Sequence, residues 1–311
     1  MADPVLIIGD DAADLARAVS ATEPGIPLTT AAGVTEALDR YAGEPILFGS
    51  PLMISEVLPD MPGVKWVQST WAGVTPLMDI ERRDYVLTGI RGIFGPQMSE
   101  YVLGYLLAHE LDIFARREEQ HEHRWEYRAS GTLRGKRVGI MGTGSIGRAI
   151  AESAAGFGMT VTGLSRTGAG KAPFEAVYPT ARISEFLPGL DYLVSVLPQV
   201  SATDGLLDAE TLALLPPTAY FVNVGRGNVV DDDALIAALA SEQLAGAVLD
   251  VFDEEPLPGS SPLWDAPNLL VTAHIAAMSY PELIVPIFVD NYRRYIVGKP
   301  LVDVIDFELG Y

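Results

Sequence analysis

The chain has 311 residues, about half of them hydrophobic, with four histidines and no cysteine. That length accommodates two domains, and the hydrophobic content excludes a disordered chain, while the missing cysteine excludes disulfides, thiolate metal sites and a cysteine nucleophile. Forty-one acids against twenty-one bases give a net charge of −20, which repels nucleic acid and anionic membrane surfaces.

In chain order, VLIIGD (5–10) reads as a strand and Asp11–Ala21 as a helix, with Leu15, Ala18 and Val19 in phase. The acids that flank the first apolar run do not make a signal peptide, so a cytoplasmic protein is expected. PILFGS (45–50), KWVQST (65–70) and YVLTGI (85–90) read as further strands separated by helix-length connections. This βαβ rhythm predicts a parallel sheet covered on both faces. After Gly95-Pro96, a long helix is predicted from Gln97 to about Glu122, with Met98, Tyr101, Val102, Tyr105 and Leu106 on one stripe and a polar, solvated end. Its most apolar stretch, Tyr101–Ala108, is far shorter than a bilayer span, so no membrane partner is expected. His121 and His123 are two residues apart and point to different helix faces, so no metal site is expected there.

A second βαβ series begins at Lys136. Its strands are KRVGIMG (136–142), MTVTGL (159–164), YLVSVLP (192–198), AYFVNVG (219–225), GAVLDVF (246–252) and NLLVTAHI (268–275), with helices at Asp208–Leu215 and Asp231–Leu239. Pro281–Val297 reads as a last helix, with Ile284, Ile287, Phe288, Asn291 and Tyr295 in phase. It lies beyond the second series and is free to complete the first. Two α/β domains are therefore expected, the first built from 1–97 with 284–311 and the second from 98–283.

The sharpest motif is Gly142-Thr143-Gly144-Ser145-Ile146-Gly147, which follows a strand and opens a helix. In that setting the glycines allow a tight turn, a close approach of backbone to pyrophosphate, and close packing of helix on strand. The helix N-terminus supplies amides and positive dipole to the phosphates. A plain glycine-rich turn is the competing reading. Where an NAD-binding fold usually ends its second strand in an acid, this chain has Ser165, Arg166 and Thr167, and no acid occurs between Glu152 and Glu175. Those three side chains suit a 2′-phosphate, so NADP(H) is expected to be preferred, with NAD(H) possible. Arg226 and Glu255 come just after two strands of the second series and His274 at the end of its last, and in an open α/β sheet ligands bind at that carboxyl edge. Each alone is a weak signal, since an isolated strand-end arginine is usually a surface charge and an isolated histidine usually structural; together with the glycine motif they read as a site.

The set GTGSIG, NVGRG, LDVFDEEPLP, SPLW and HIAA closely resembles the D-isomer-specific 2-hydroxyacid dehydrogenases. WVQSTWAGV, QMSEY, LSRT, LPQ and the terminal Gly310-Tyr311 are most similar to the glyoxylate/hydroxypyruvate reductase A branch. The resemblance implies two doubly wound parallel-sheet domains, a flavodoxin-like substrate domain and a Rossmann cofactor domain. It also implies a homodimer and a small 2-keto or 2-hydroxy acid as substrate. By position it implies that Arg226 binds the substrate carboxylate and keto oxygen, that His274 protonates that oxygen, and that Glu255 holds His274. Asp250 would meet the nicotinamide amide, and Leu197, Pro198, Val224, Gly225 and Ala276 would join the glycine motif around the cofactor. The amides of Ala72, Gly73 and Val74 would grip the carboxylate, with Trp71 shaping the pocket.

These roles agree with the chemistry. Hydride addition to a keto acid develops negative charge on oxygen, which a cationic arginine stabilises and a histidine can quench with a proton. Two departures stand out. The family's Gly-Val-Asp is Gly73-Val74-Thr75 here, and Thr75 before Pro76 could cap a helix. Met278 and Tyr280 could either narrow the pocket or serve packing. A D-lactate or branched keto-acid dehydrogenase and a nucleotide-sensing binding protein are the alternatives. The acid-rich composition, with only four lysines, suits high salt or simply reflects acidic usage, and thermal stability rising toward molar salt would select the first.

Overall fold

The computed structural model describes residues 2–170 and 172–308, so Gly310 and Tyr311 lie outside the described residues. Two compact units divide the chain, one from Met1–Ile93 with Ser279–Tyr311, the other from Phe94–Met278.

The first unit runs β1 (Val5–Ile8), α1 (Ala12–Thr22), β2 (Leu28–Ala31), α2 (Val34–Arg40), β3 (Ile46–Gly49), α3 (Pro51–Val57), β4 (Trp66–Ser69), α4 (Thr75–Met78) and β5 (Val86–Thr88). All its strands pair in parallel, in the order β2-β1-β3-β4-β5. This is the flavodoxin-like order. Strands β1 and β3 are buried along their whole length, which is why they read as unbroken apolar runs. The edge strand β2, LTTA, is only partly buried and half polar, and so carries no such signal.

The second unit runs α5 (Gly95–Glu110), α6 (Ile113–His121), β6 (Arg137–Met141), α7 (Ser145–Gly156), β7 (Thr160–Ser165), β8 (Ala176–Pro179), α8 (Ile183–Phe186), β9 (Tyr192–Ser195), α9 (Ala209–Leu212), β10 (Tyr220–Asn223), α10 (Asp232–Ala240), β11 (Gly246–Leu249) and β12 (Leu269–Val271). Its seven strands are parallel, in the order β12-β11-β10-β9-β6-β7-β8. Chain order reverses between β9 and β6, which creates the crevice where dinucleotides bind in Rossmann sheets. Alternation along the strands builds a core on each face: Leu193, Phe221 and Leu249 on one, Tyr192, Val194, Val222 and Val248 on the other.

The chain then returns to the first unit as α11 (Pro281–Ile296), as its phase predicts. Phe288 stacks on Phe48 with ring centroids 4.3 Å apart, and Trp66 stacks on both Phe288 and Tyr295 at 5.5 Å. The Tyr292 hydroxyl donates to the Asp3 carbonyl, and Arg293 pairs with Glu23, which caps the C-terminus of α1. Beyond it, Val304 bridges antiparallel to Thr88, and Ile305 donates to the Leu87 carbonyl at 2.9 Å, covering the edge at β5.

Four expectations are corrected. The predicted helix from Gln97 to Glu122 is two helices, because Asp112 adopts a left-handed φ of 52° and the chain restarts as α6. Arg128 holds the Asp112 carboxylate at 2.8 Å, and aspartate tolerates that conformation. Thr75 is not a cap: Val74 occupies that position, without a side-chain bond, and Thr75 is the first helical residue. The strand expected over 268–275 is only Leu269–Val271, because the amides of Ile275 and Ala276 bond to a side chain, that of Asp250. The helix expected over Asp208–Leu215 shortens to Ala209–Leu212, with Asp208 capping it through the Thr211 amide at 2.9 Å.

Candidate functional site

The glycine turn after β6 has the form its sequence predicts. Gly142 has a φ of 103°, in the region that favours glycine. A Cβ on Gly147 would stand 1.8 Å from the Gly142 carbonyl oxygen, so only glycine lets α7 approach the strand. At Gly144, by contrast, a Cβ would meet nothing within 4 Å. The backbone there opens onto space at the N-terminus of α7, where first-turn amides have no intrahelical partner. This cradle fits a pyrophosphate. Across the crevice, Val196 closes on Gly142, and Gly225 lies against the backbone of Val196 and Leu197, with Pro198 next in the chain.

Beyond β7, a cavity of about 280 Å³ is lined by Thr143, Arg148, Ala169, Gly170 and Phe174. Ser165 ends β7, and its hydroxyl accepts the Gly168 amide at 3.1 Å. Thr167 accepts the Ala169 amide at 3.3 Å, and the Arg166 side chain is exposed. The three residues thus form a hydroxyl- and guanidinium-bearing turn at the strand end, beside the glycine turn. Val224 and Ala276 are different: both side chains are buried in the core, so only their backbone could reach a cofactor.

Arg226, Glu255 and His274 are brought together by the loops after β10, β11 and β12. The fully buried Asn223 shapes the first loop, donating to the Arg226 carbonyl at 2.9 Å and accepting the Gly225 amide at 3.1 Å. Gly227 then lets the backbone of Phe252 and Asp253 pass at contact, since a Cβ there would stand 2.0 Å from the Phe252 carbonyl carbon. That contact places the Arg226 loop against the Glu255 loop. Burial lowers the Arg226 guanidinium from its ordinary value, opposed by the Glu255 charge, and the group remains cationic at neutral pH. Glu255 accepts the Phe252 amide at 2.9 Å on Oε1 and faces His274 Nδ1 at 2.7 Å on Oε2. The carboxylate accepts, so Nδ1 carries the proton and Nε2 is the nitrogen left to exchange one.

His274 itself has a left-handed φ of 53°. Asp250, 1% exposed, holds it there: the His274 amide donates to the Asp250 carbonyl at 2.8 Å. The Asp250 carboxylate accepts Ile275 and Ala276 amides at 2.9 and 2.8 Å and the Thr272 hydroxyl at 2.5 Å. Sequence reasoning placed Asp250 at the cofactor but did not find this grip on the histidine loop, which joins residues 22 to 26 apart.

In the first unit, Trp71, Ala72, Gly73 and Val74 follow β4. Trp71 is half-exposed, with its amide bonded to the Ser69 hydroxyl at 3.0 Å, and Val74 is buried. The side chains of Met278 and Tyr280 are both about half-exposed, so neither is a core packing residue. No helix among the described residues is long and apolar enough to cross a membrane.

The family profile described as D-isomer specific 2-hydroxyacid dehydrogenase, NAD binding domain, matches residues 103–276. A glyoxylate/hydroxypyruvate reductase A from Klebsiella pneumoniae (strain 342) is 34% identical over 226 residues, 70% of each chain. A crystal structure of a D-isomer specific 2-hydroxyacid dehydrogenase family protein from Aeromonas salmonicida subsp. salmonicida A449 superposes with a TM-score of 0.94. It is 41% identical over 99% of this chain and 100% of that one. A D-isomer specific 2-hydroxyacid dehydrogenase from Xanthobacter autotrophicus Py2, in complex with NADPH and MES, has a TM-score of 0.88. It is 34% identical, and all of both chains is covered.

Proposed function

The chain belongs to the D-isomer specific 2-hydroxyacid dehydrogenase family and is an NAD(P)-dependent oxidoreductase; we propose that it reduces a small 2-keto acid, glyoxylate or hydroxypyruvate, to the D-2-hydroxy acid with NADPH. The observation that carries this reading is the Arg226–Glu255–His274 cluster on the same sheet edge as the open glycine cradle. The similar reductase A and the NADPH in the Xanthobacter structure support the choice of substrate class and cofactor.

Gly142–Gly147 and the α7 N-terminus would hold the pyrophosphate, and the Ser165–Thr167 turn would hold the 2′-phosphate. The bound cofactor supplies the hydride. Arg226 neutralises the substrate carboxylate and the charge that develops on the keto oxygen. His274 delivers a proton from Nε2 to that oxygen while Glu255 fixes the ring and stabilises the imidazolium. Asp250 has a lone pair left after its three protein donors and would accept from a carboxamide. The amides of Ala72, Gly73 and Val74, none of which donates to a described residue, are the donors we assign to a carboxylate. In assays of initial rate, glyoxylate and hydroxypyruvate should be reduced faster than pyruvate, and NADPH should outperform NADH. Strong turnover of a branched keto acid with glyoxylate poor would overturn the substrate assignment.

We also propose a homodimer. Trp125 and Tyr127 are 96% and 94% exposed, on a segment anchored where Arg128 pairs with Asp112 and Glu119 and Arg116 donates to the Arg128 carbonyl. Exposed aromatics on an anchored arm suit burial in a second copy. Light scattering should report a dimer that Trp125→Ser with Tyr127→Ser weakens.

A further inference from the structure

The loop that carries His274 is gripped at both ends by one face of α5. At its far end, the Gln97 side-chain amide donates to the Met278 carbonyl at 3.0 Å and accepts the Met278 amide at 2.9 Å. At its near end, the Tyr101 hydroxyl meets the Thr272 hydroxyl at 2.5 Å. Gln97 and Tyr101 are four residues apart and so share a helix face. The direction of the second contact follows from proton count. Thr272 has one hydroxyl proton, and Asp250, an acceptor, takes it at 2.5 Å. Tyr101 must therefore donate to Thr272, and burial pushes its phenol well above the ordinary value, which keeps that proton in place. The chain of donors runs Tyr101 to Thr272 to Asp250, and Asp250 accepts the two amides that follow His274.

We infer that Gln97 and Tyr101 are positioning residues for His274, acting through Thr272, Asp250 and Met278 and touching no reactant. A non-glycine residue in the left-handed region persists only where its surroundings fix it, and here four side chains do so: Gln97 and Tyr101 on α5, Asp250 just past β11, and Thr272 on the loop itself. Gln97 is fitted to its task, since its amide carries a donor and an acceptor side by side, matching the N–H and C=O of Met278. The inference rests on His274 being the proton donor.

The test uses the full-length enzyme with NADPH and glyoxylate, reading single-turnover hydride transfer, KM, NADPH affinity and melting temperature. Tyr101→Phe should slow hydride transfer about three- to tenfold, the size of one buried neutral hydrogen bond, with NADPH affinity within about twofold. Thr272→Val should slow it at least as much. The double variant should be no slower than Thr272→Val alone, because both act through one donor chain. Gln97→Met, which grips the other end, should multiply with Tyr101→Phe. Multiplying losses for Tyr101→Phe and Thr272→Val would overturn the donor chain. A lowered melting temperature with normal turnover would reduce these residues to structural ones and overturn the inference. His274→Gln, measured alongside, separates the two levels. Near-normal turnover there removes the proton-donor reading and this inference with it. An inactive His274→Gln beside unaffected Tyr101→Phe and Gln97→Met overturns the grip alone.

Discussion

Two segments leave the same sheet edge and reach it by different means. The turn after β6 is shaped by its own glycines: its bends, its clearance and its approach to the strand are all settled within six consecutive residues. The loop after β12 has no such local code. It is shaped by side chains from α5 and from the loop and strand end at β11, and its histidine sits in a conformation it would not choose alone. Backbone-built sites tolerate little change in their own residues and much in their surroundings. Side-chain-built sites reverse that.

The largest break in this contrast comes from removing the loop's chemistry. His274→Ala should lower turnover about 10²–10⁴-fold while leaving NADPH affinity nearly intact, as rapid-mixing and binding titrations would read. In the unaltered enzyme, reduction needs the protonated ring and oxidation the neutral one, so the two rates should change in opposite directions with pH, reduction slowing and oxidation of the hydroxy acid quickening as pH rises. Parallel trends in the two directions would assign His274 a structural role.

The turn offers the sharper internal comparison. Gly147→Ala forces a Cβ against the Gly142 carbonyl and should cost about 1–3 kcal/mol, lowering the melting temperature by about 4–10 °C. Gly144→Ala has free space and an ordinary φ of −71°, so the melting temperature should hold while NADPH affinity falls about tenfold or more. Equal effects from the two would mean that the cradle is not a binding surface.

Next in size is the end of β7. Ser165→Asp places a carboxylate where a 2′-phosphate would lie and should shift the ratio of kcat/KM values toward NADH by about tenfold. An unchanged ratio would move the 2′-phosphate elsewhere.

The smallest effect concerns charge behind the Glu255 loop. Burial, then Asp253, Asp231 and Asp233, push Asp232 up from 3.8 to about 6. The folded state therefore holds this proton more tightly than the unfolded chain. The stability it contributes is full below about pH 4 and is lost as pH rises toward 6. Asp232→Asn should melt progressively higher than the parent between pH 4 and 6 and by a constant margin above. A constant margin throughout would place the strain elsewhere.

What was legible in the sequence follows the same division. The buried central strands, the glycine turn and the Arg226, Glu255 and His274 positions were all readable, because each depends on a run or motif of adjacent residues. The edge strands β2 and β8 were not, since partial burial leaves LTTA and AVYP without apolar periodicity. The break at Asp112 was hidden because its cause, Arg128, lies sixteen residues on. The pair of hydrogen bonds between Gln97 and Met278 spans 181 positions, and no local pattern announces it.

The return of α11 and the Val304 bridge to the first sheet has a consequence for synthesis. Phe94–Met278 is one uninterrupted stretch, whereas the unit that begins the chain needs Ser279 onward to cover Phe48, Trp66 and the β5 edge. As the polypeptide leaves the ribosome, the inserted unit has all its parts first. The earlier-made strands must wait with an apolar face uncovered. The strands before Ile93 therefore complete their cover only after Phe94–Met278 has been made.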